Sequence, residues 1–182
     1  SQANVEQISR IIEIAGSDPA GWRKTTLEER HKIMYEAANR LGEMRGDLIG
    51  CMCAITGKTV VEGDVEVSEG IDYARFYTTS MKLFADLPDV DITPEGTVLV
   101  ISPWNFPCAI PIGGIVAALA GGNTVILKPA TVAAPVAWLF AQAFWDAGVP
   151  KEALQVIITD RDALKVLTSA PAIKHIILTG GT

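Results

Sequence analysis

The chain has 182 residues, 49% of them hydrophobic and 20% charged, which is the composition of a globular domain and not of a disordered segment. Its formal net charge of −6 leaves no basic surplus, and this argues against nucleic acid or an anionic membrane surface as a partner. The most apolar stretch, residues 109–122, is shorter than the roughly 20 residues of a membrane helix.

The three cysteines and the first residues bear on the compartment. Cys51, Cys53 and Cys108 are an odd number and do not resemble a secreted disulfide framework. The first residues lack the basic start and the apolar block of a signal peptide, so we expect a cytoplasmic protein. Cys51 and Cys53 are two residues apart and would face different directions on a helix, so we expect no metal site there.

The first half of the chain has the patterns of helices. Thr26 and Glu29 have the spacing of a capping box, which predicts a helix start. Apolar residues then recur at spacings of three and four, which predicts one buried helical stripe: Met34, Ala37, Ala38, Leu41, Met44 and Leu48. On the same stretch Gly42, Gly46 and Gly50 lie four apart and indicate either close helix packing or a frayed end.

A second amphipathic run covers residues 59–84, and residues 88–94 then form a polar connector. The run predicts a helix whose apolar residues share one face: Val61, Val65, Ile71, Ala74, Tyr77, Met81 and Phe84.

The second half alternates between two kinds of segment. Short, continuously apolar and β-branched runs predict strands at residues 97–101, 124–127, 154–158 and 173–178. Helical stretches separate them at about 107–120, 133–146 and 160–168, and the glycines at 121 and 122 followed by Asn123 predict a helix stop. Alternating strands and helices predict an α/β fold, a partial doubly wound parallel sheet preceded by helices.

In such a sheet, ligands bind beyond the carboxyl ends of the strands. Residues 102–107 (SPWNFP) follow the first strand, and their two prolines restrict the backbone around Asn105, whose neutral amide is suited to stabilise an oxyanion. Lys128 follows the second strand, where it can donate to ribose or phosphate oxygens. The residues alone favour a structural proline-rich turn and a solvated lysine over these functional roles, and no Gly-x-Gly-x-x-Gly motif follows either strand.

Five blocks of sequence resemble the aldehyde dehydrogenase superfamily in order and spacing. They are residues 101–107 (ISPWNFP), 117–130 (AALAGGNTVILKPA), 146–150 (DAGVP), 154–156 (LQV) and 178–182 (LTGGT). The resemblance implies a Rossmann-like cofactor domain, with a helical amino-terminal region and connector at 1–95 and an incomplete βαβ nucleotide-binding core at 96–182. It implies oxidation of an aldehyde to a carboxylic acid with NAD or NADP.

The resemblance also implies roles for individual residues. Asn105 matches the oxyanion-stabilising asparagine of the family. The residues that match those lining the nicotinamide half of the cofactor are Ser102, Pro103 and Trp104. Lys128, followed by Ala130 and Thr131, matches the segment at the adenine-side ribose. Gly180 and Gly181 match the Gly-Ser pair at the helix start beside the pyrophosphate.

The chain departs from the family pattern in three places. Thr131 replaces a glutamate that many NAD-preferring members carry, and without that carboxylate NADP is not disfavoured. Gly181 replaces the usual serine and lacks its hydroxyl donor. Residues 159–162 (TDRD) lack the glycines common after the third strand.

The resemblance places the nucleophilic cysteine and the general-base glutamate beyond Thr182. Cys108 lies close to Asn105, but we interpret it as a small buried apolar residue. His31 and His175 match no functional residue of the family. We therefore expect this chain to carry the cofactor-binding part and the oxyanion asparagine of a longer enzyme, and to be inactive alone.

Residues 62–77, with the short connector, resemble the 1-pyrroline-5-carboxylate dehydrogenase branch. That branch oxidises glutamate 5-semialdehyde in proline catabolism, often fused behind a proline dehydrogenase domain, and the parent enzyme is expected to be a homo-oligomer. Three alternatives stay open: a succinate-semialdehyde type, a non-catalytic nucleotide-binding module that ends at Thr182, and a related acyl-phosphate reductase. The sequence WNFP at residues 104–107 argues against the reductase.

Overall fold

A computed structural model of the chain describes residues 2–180. In that range four strands, β1 to β4, form one parallel sheet in the order β3-β2-β1-β4. The strands are Thr97–Ser102, Thr124–Pro129, Leu154–Val156 and Ile173–Leu178, and the helices α1 to α7 are Val5–Ser17, Leu27–Glu43, Arg45–Thr56, Val60–Ala85, Ala109–Ala120, Ala134–Asp146 and Arg161–Ser169. Within the described residues, no helix combines the length and apolar character that a membrane crossing requires.

The predicted doubly wound sheet is confirmed, because helices cover both of its faces. On one face the inward side chains of β1 and β2, such as Val98 and Val125, share a core with α2 to α6. On the other face Leu99 and Ile126 pack against α1 and α7. Successive residues of a strand point to opposite faces, so burial on both sides requires the continuously apolar runs seen in the sequence.

The third strand is shorter than predicted and ends at Val156 rather than at residue 158. Its neighbour β2 ends in Pro129, and proline has no backbone N–H to continue the ladder. The Ile157 N–H still donates to the carbonyl of Leu127, but Pro129 has no N–H to donate to the carbonyl of Ile157 in return, and on the other side of this segment the carbonyl of Ile158 accepts from the N–H of Ala3. The pairing between β2 and β3 therefore ends where Pro129 interrupts the ladder.

In the helical first half, the capping box at Thr26 and Glu29 is confirmed, and it begins α2. The prediction of one continuous helical stripe is wrong, because the helix is interrupted at Met44, between α2 and α3. Met44 has φ −86° and ψ 8°, outside the helical range, so its two flanks belong to different helices. The two apolar faces nevertheless pack into the same core.

The helix α4 is confirmed, but its predicted apolar face is wrong in part. Val61, Val65 and Phe84 are 74%, 62% and 56% exposed. The buried face consists of mostly small residues together with one carboxylate: Gly63, Glu66, Val67, Gly70, Ile71, Ala74 and Thr78. A Cβ on Gly70 would lie 3.0 Å from the side chain of Ile112 on α5, so the glycines allow a close helix approach.

Of the glycines on α2 and α3, Gly46 and Gly50 face open space, since a Cβ at either would meet no atom within 4 Å. The prediction of close packing is therefore wrong for Gly46 and Gly50, whereas a Cβ on Gly42 would lie in contact with the side chain of Ile71 on α4, at 3.8 Å. The predicted stop after α5 is confirmed: Gly122 has φ +83°, and the side-chain oxygen of Asn123 accepts from the N–H groups of Glu95 and Gly96. This turn ties the connector to the start of β1.

We expect Gly122→Ala to lower the free energy of unfolding by about 1–3 kcal/mol, because an alanine is strained at this φ and its Cβ would lie 2.8 Å from Pro94. Gly50→Ala is the matched control. It places a methyl group in open space inside α3 and is expected to raise the free energy of unfolding by about 0.5–1 kcal/mol. Urea denaturation of both variants measures the difference, and an equal effect of the two changes would contradict this account of the turn.

Candidate functional site

The carboxyl ends of three strands meet at one edge of the sheet. In the ladder Ser102 pairs with Pro129, and Ile101 pairs with Leu178. The Ala130 N–H donates to the carbonyl of Ser102 at 3.0 Å, which joins the segments that leave β1 and β2. Because parallel strands end in register, Ser102, Lys128 and Gly180 lie along one edge of the sheet, and the space beyond this edge is the crevice in which parallel sheets bind ligands.

The loop after β1 carries Trp104, Asn105 and Phe106 on the surface, with Trp104 56% and Phe106 42% exposed. The Asn105 side chain is exposed and forms no hydrogen bond with the residues that the structure describes. Its two N–H donors and its carbonyl oxygen are therefore free for a ligand. Behind the loop, Pro107 is buried and fixes the start of the turn into α5.

Two residues that the sequence analysis did not single out contact this loop from behind. The Oε1 atom of Glu66 accepts from the N–H groups of Cys108 at 2.7 Å and of Ala109 at 3.1 Å. Lys58 Nζ lies 3.0 Å from Glu66 Oε2 and 4.2 Å from the centre of the Phe106 ring. The Lys58–Glu66 contact is an ion pair without hydrogen-bond alignment. Asp64 and Glu69 also lie between Gly63 and Gly70, so nothing in the sequence singles out Glu66 among these three acidic residues.

Lys128 is half-buried at the end of β2 and forms no ion pair within the described part of the chain. Burial lowers the pKa of its ammonium group, because desolvation disfavours the charged form. A partly desolvated cation without a partner is suited to receive oxygen atoms from a ligand. Ala130 is half-buried beside it, and the exposed Thr131 begins a short turn that leads into α6.

Gly180 follows β4 and reaches the loop that follows β1. Its φ is +146°, and a Cβ built on it would lie 4.0 Å from the Cβ of Pro103. The segment that leaves β4 therefore lies beside the segment that leaves β1. Gly181, the other glycine predicted at the pyrophosphate, lies outside the described residues.

Two buried hydroxyl oxygens near these strand ends lack partners. Ser102 Oγ and Thr159 Oγ1 have no hydrogen bond in residues 2–180 although neither contacts solvent. Ser102 lies at the end of β1, where it pairs with Pro129 of β2 and precedes Pro103. A buried hydroxyl without a partner is unfavourable, which makes Ser102 a candidate for a polar contact that the described residues do not supply.

A cavity of about 920 Å³ lies elsewhere, between α1 and α6 beside the outer edge of β3. Ile11 and Trp138 line it, and none of the predicted site residues does. The predicted residues Ser102, Lys128 and Gly180 lie instead at the carboxyl ends of β1, β2 and β4. We place the candidate site in the crevice beyond these strand ends because Ser102 Oγ and Lys128 Nζ, on the neighbouring strands β1 and β2, have no polar partner within residues 2–180.

Cys108 is buried, and the interpretation as a small buried apolar residue is confirmed. Burial raises the pKa of its thiol, and the nearby Glu66 carboxylate raises it further. Because the thiolate is the reactive form of cysteine, this environment suppresses nucleophilic attack. Cys51 and Cys53 are half-buried on α3, and burial also raises the pKa of Cys51.

The whole chain, residues 1–182, matches the family model described as the aldehyde dehydrogenase family. It is 35% identical over 167 residues to a 1-pyrroline-5-carboxylate dehydrogenase of Geobacillus sp. (strain WCH70), covering 86% of this chain and 32% of that protein. It is 33% identical over 165 residues to an alpha-ketoglutaric semialdehyde dehydrogenase of Bacillus subtilis (strain 168), covering 85% of this chain and 34% of the relative. The chain thus spans about a third of the length of these curated relatives.

Among solved structures, proline utilization A (PutA) from Corynebacterium freiburgense superposes with a TM-score of 0.88 and 37% sequence identity. The match covers 98% of this chain and 18% of that one. Sequence and fold therefore agree on the same group of relatives, in which this chain corresponds to a minor part of the whole.

The burial of the thiols predicts an order of reactivity. We expect Ellman's reagent to modify Cys51 and Cys53 of the native chain well before Cys108, because the Cys108 thiol has no access to solvent. All three thiols should react after unfolding in guanidinium. The variant Cys108→Ala is the control, since it should leave the native count unchanged and lower only the unfolded count. A native count that falls in this variant would contradict the assignment.

Proposed function

Since the chain belongs to the aldehyde dehydrogenase family, we propose that it supplies the cofactor-binding part of an enzyme that oxidises an aldehyde to a carboxylic acid with NAD or NADP. In this proposal residues 96–182 belong to the nucleotide-binding core, and residues 1–95 are the helical region and connector that accompany it. One observation carries the proposal. Ser102, Lys128 and Gly180, which match functional positions of the family, lie at the carboxyl ends of β1, β2 and β4 on one edge of the sheet, and Ser102 Oγ and Lys128 Nζ have no polar partner within residues 2–180.

The crevice residues fit a dinucleotide. Ser102, Pro103 and Trp104 would line the nicotinamide half, where Trp104 offers an exposed aromatic face. Lys128 would donate to the adenine-side ribose, beside Ala130 and Thr131, and its half-buried cation has no competing partner within the described residues. Gly180, with Gly181, would let the backbone approach the pyrophosphate. The cofactor, when bound, accepts a hydride from the substrate.

Asn105 is the residue that we assign to the reaction itself. Its amide would donate to the aldehyde oxygen as negative charge develops there, which is a role for a fixed neutral donor. The oxidation is balanced when water supplies the second oxygen of the acid and the aldehyde hydrogen leaves as hydride. The nucleophilic cysteine and the general-base glutamate belong, in this proposal, to a part of the enzyme beyond Thr182.

For the substrate we propose L-glutamate 5-semialdehyde, formed from 1-pyrroline-5-carboxylate, and hence a place in proline catabolism. The similarity to 1-pyrroline-5-carboxylate dehydrogenases and to proline utilization A supports this substrate. A relative named for alpha-ketoglutaric semialdehyde is similar to nearly the same degree, so other semialdehydes, including succinate semialdehyde, are the competing substrates. The proposal includes a cytoplasmic homo-oligomer that is fused to, or cooperates with, proline dehydrogenase.

The test of this function is an activity assay of the protein expressed from the complete coding frame. The reduction of NAD is followed at 340 nm with glutamate semialdehyde, succinate semialdehyde or alpha-ketoglutaric semialdehyde as the substrate. We expect the highest kcat/KM with glutamate semialdehyde. Asn105→Ala is expected to lower kcat about 100- to 1000-fold, because one oxyanion donor is lost. The 182-residue chain alone should show no turnover. Robust oxidation by that short chain, or the absence of oxidation by the complete protein, would overturn the proposal.

Thr131 makes the choice between the two cofactors testable. We expect Thr131→Glu to raise the NAD over NADP preference about tenfold or more, since the new carboxylate would repel the 2′-phosphate and bind the ribose hydroxyls. Val132→Glu is the matched control, because it adds the same charge at the next exposed position. The ratio of kcat/KM for the two cofactors measures the effect, and an equal shift in both variants would contradict the assignment of Thr131.

A further inference from the structure

The helix α5 begins directly after the loop that carries Asn105, and its first backbone N–H groups are not capped locally. Its N-cap residue is Cys108, whose side chain makes no capping hydrogen bond. The acceptor comes from Glu66, 42 residues earlier in the chain, on the buried face of α4. A carboxylate at a helix N-terminus is stabilised by charge-assisted hydrogen bonds and by the helix dipole.

This arrangement buries charge. Glu66 is 1% exposed, and an isolated carboxylate is strongly unfavourable at such a place. Lys58 supplies the opposite charge at 3.0 Å with its own side chain only 12% exposed. The lysine also lies against the ring of Phe106, the residue that follows Asn105. Lys58 therefore connects Glu66 to the exposed part of the loop.

The loop is thus held at both of its ends. At the β1 end the Ala130 N–H donates to the carbonyl of Ser102, and at the α5 end Glu66 accepts from Cys108. Between these points the two prolines restrict the backbone, and Lys58 contacts the middle. The position of Asn105 within this short segment therefore depends on where α4 holds the Glu66 carboxylate.

We propose that Glu66 and Lys58 are positioning residues that hold Asn105 where its amide meets the substrate oxygen. This inference rests on the proposed function of the crevice. The ion pair acts through the loop and touches neither substrate nor cofactor. Loss of the ion pair should lower kcat, because misplacing a donor by a fraction of an ångström weakens transition-state stabilisation. This effect should occur only while Asn105 is present.

The test is a double-mutant cycle in the protein expressed from the complete coding frame, with kcat and KM for the aldehyde measured at saturating NAD. We expect Glu66→Gln to lower kcat about tenfold and to change KM less than about twofold. In the Asn105→Ala background the same substitution should change kcat less than about twofold, because the residue through which it acts is gone. An equal loss in both backgrounds would show a purely structural role and overturn the inference.

The control for Glu66→Gln is Glu62→Gln. It is the same substitution one turn earlier on α4, at an exposed capping carboxylate that does not contact the loop. It should leave kcat unchanged.

Lys58→Met gives a second route if the Glu66 variant does not fold, and it should lower kcat in the same Asn105-dependent way. Lys58→Arg keeps the positive charge and should restore most of kcat, and a loss in Lys58→Arg equal to that in Lys58→Met would contradict a role for the charge.

A readout without turnover separates this inference from the proposed function. In the protein expressed from the complete coding frame and labelled with 5-fluorotryptophan, Trp104 gives a ¹⁹F resonance that Trp104→Phe identifies. Glu66→Gln should shift or broaden that resonance, whereas Glu62→Gln should not. An unchanged Trp104 resonance in Glu66→Gln would refute the positioning role. A moved resonance together with an inactive complete protein would keep the structural link and remove the proposed function.

Discussion

The strand β1 is hydrogen-bonded to β2 on one side and to β4 on the other, and the sheet is covered on both faces. Buried backbone N–H and C=O groups must be paired, so β1 cannot shift against its neighbours without breaking two ladders at once. This constraint fixes the strand exits. Ser102, Lys128 and Gly180 meet at one edge because the register leaves no other arrangement.

A second constraint lies in the packing of α4. Gly63 and Gly70 have no side chains to separate this helix from α3 and α5, and their Cβ positions would lie 3.3 Å from Ile49 and 3.0 Å from Ile112. The close approach brings Glu66, which lies between the two glycines, within hydrogen-bond distance of the first N–H groups of α5. Packing by small residues thus determines where a charged group can act on the loop above.

The sequence predicted those parts of the fold that depend on local pattern. The apolar runs of β1 and β2, the capping box at Thr26 and the turn at Gly122 follow from periodicity and backbone preference, and the structure confirms them. Hydropathy did not show the end of β3, since Pro129 on the neighbouring strand decides it. It also did not show the buried face of α4, where glycines and a carboxylate replace large apolar residues.

The same distinction applies to the candidate site. Asn105 and Lys128 could be named as candidates because they lie at predicted strand exits and within contiguous blocks that resemble the family. Glu66 and Lys58 could not, since their relation to the loop exists only after α4 and α5 have packed. A contact across 42 residues has no periodicity in the sequence.

The chemistry of the buried pair explains why an ion pair suits this position better than apolar side chains would. Replacing a buried ion pair with hydrophobic residues is often neutral or stabilising, so stability alone does not require Lys58 and Glu66. Apolar residues cannot provide a hydrogen-bond acceptor at a defined position. The N–H groups of Cys108 and Ala109 point out of the first turn of α5, and the Cys108 side chain does not cap them. A local serine or aspartate at that N-cap would satisfy them equally well. It would also leave the loop independent of α4. The remote carboxylate makes the position of the loop a property of the whole helical layer, which is what an exposed side chain needs if it is to act as a fixed donor.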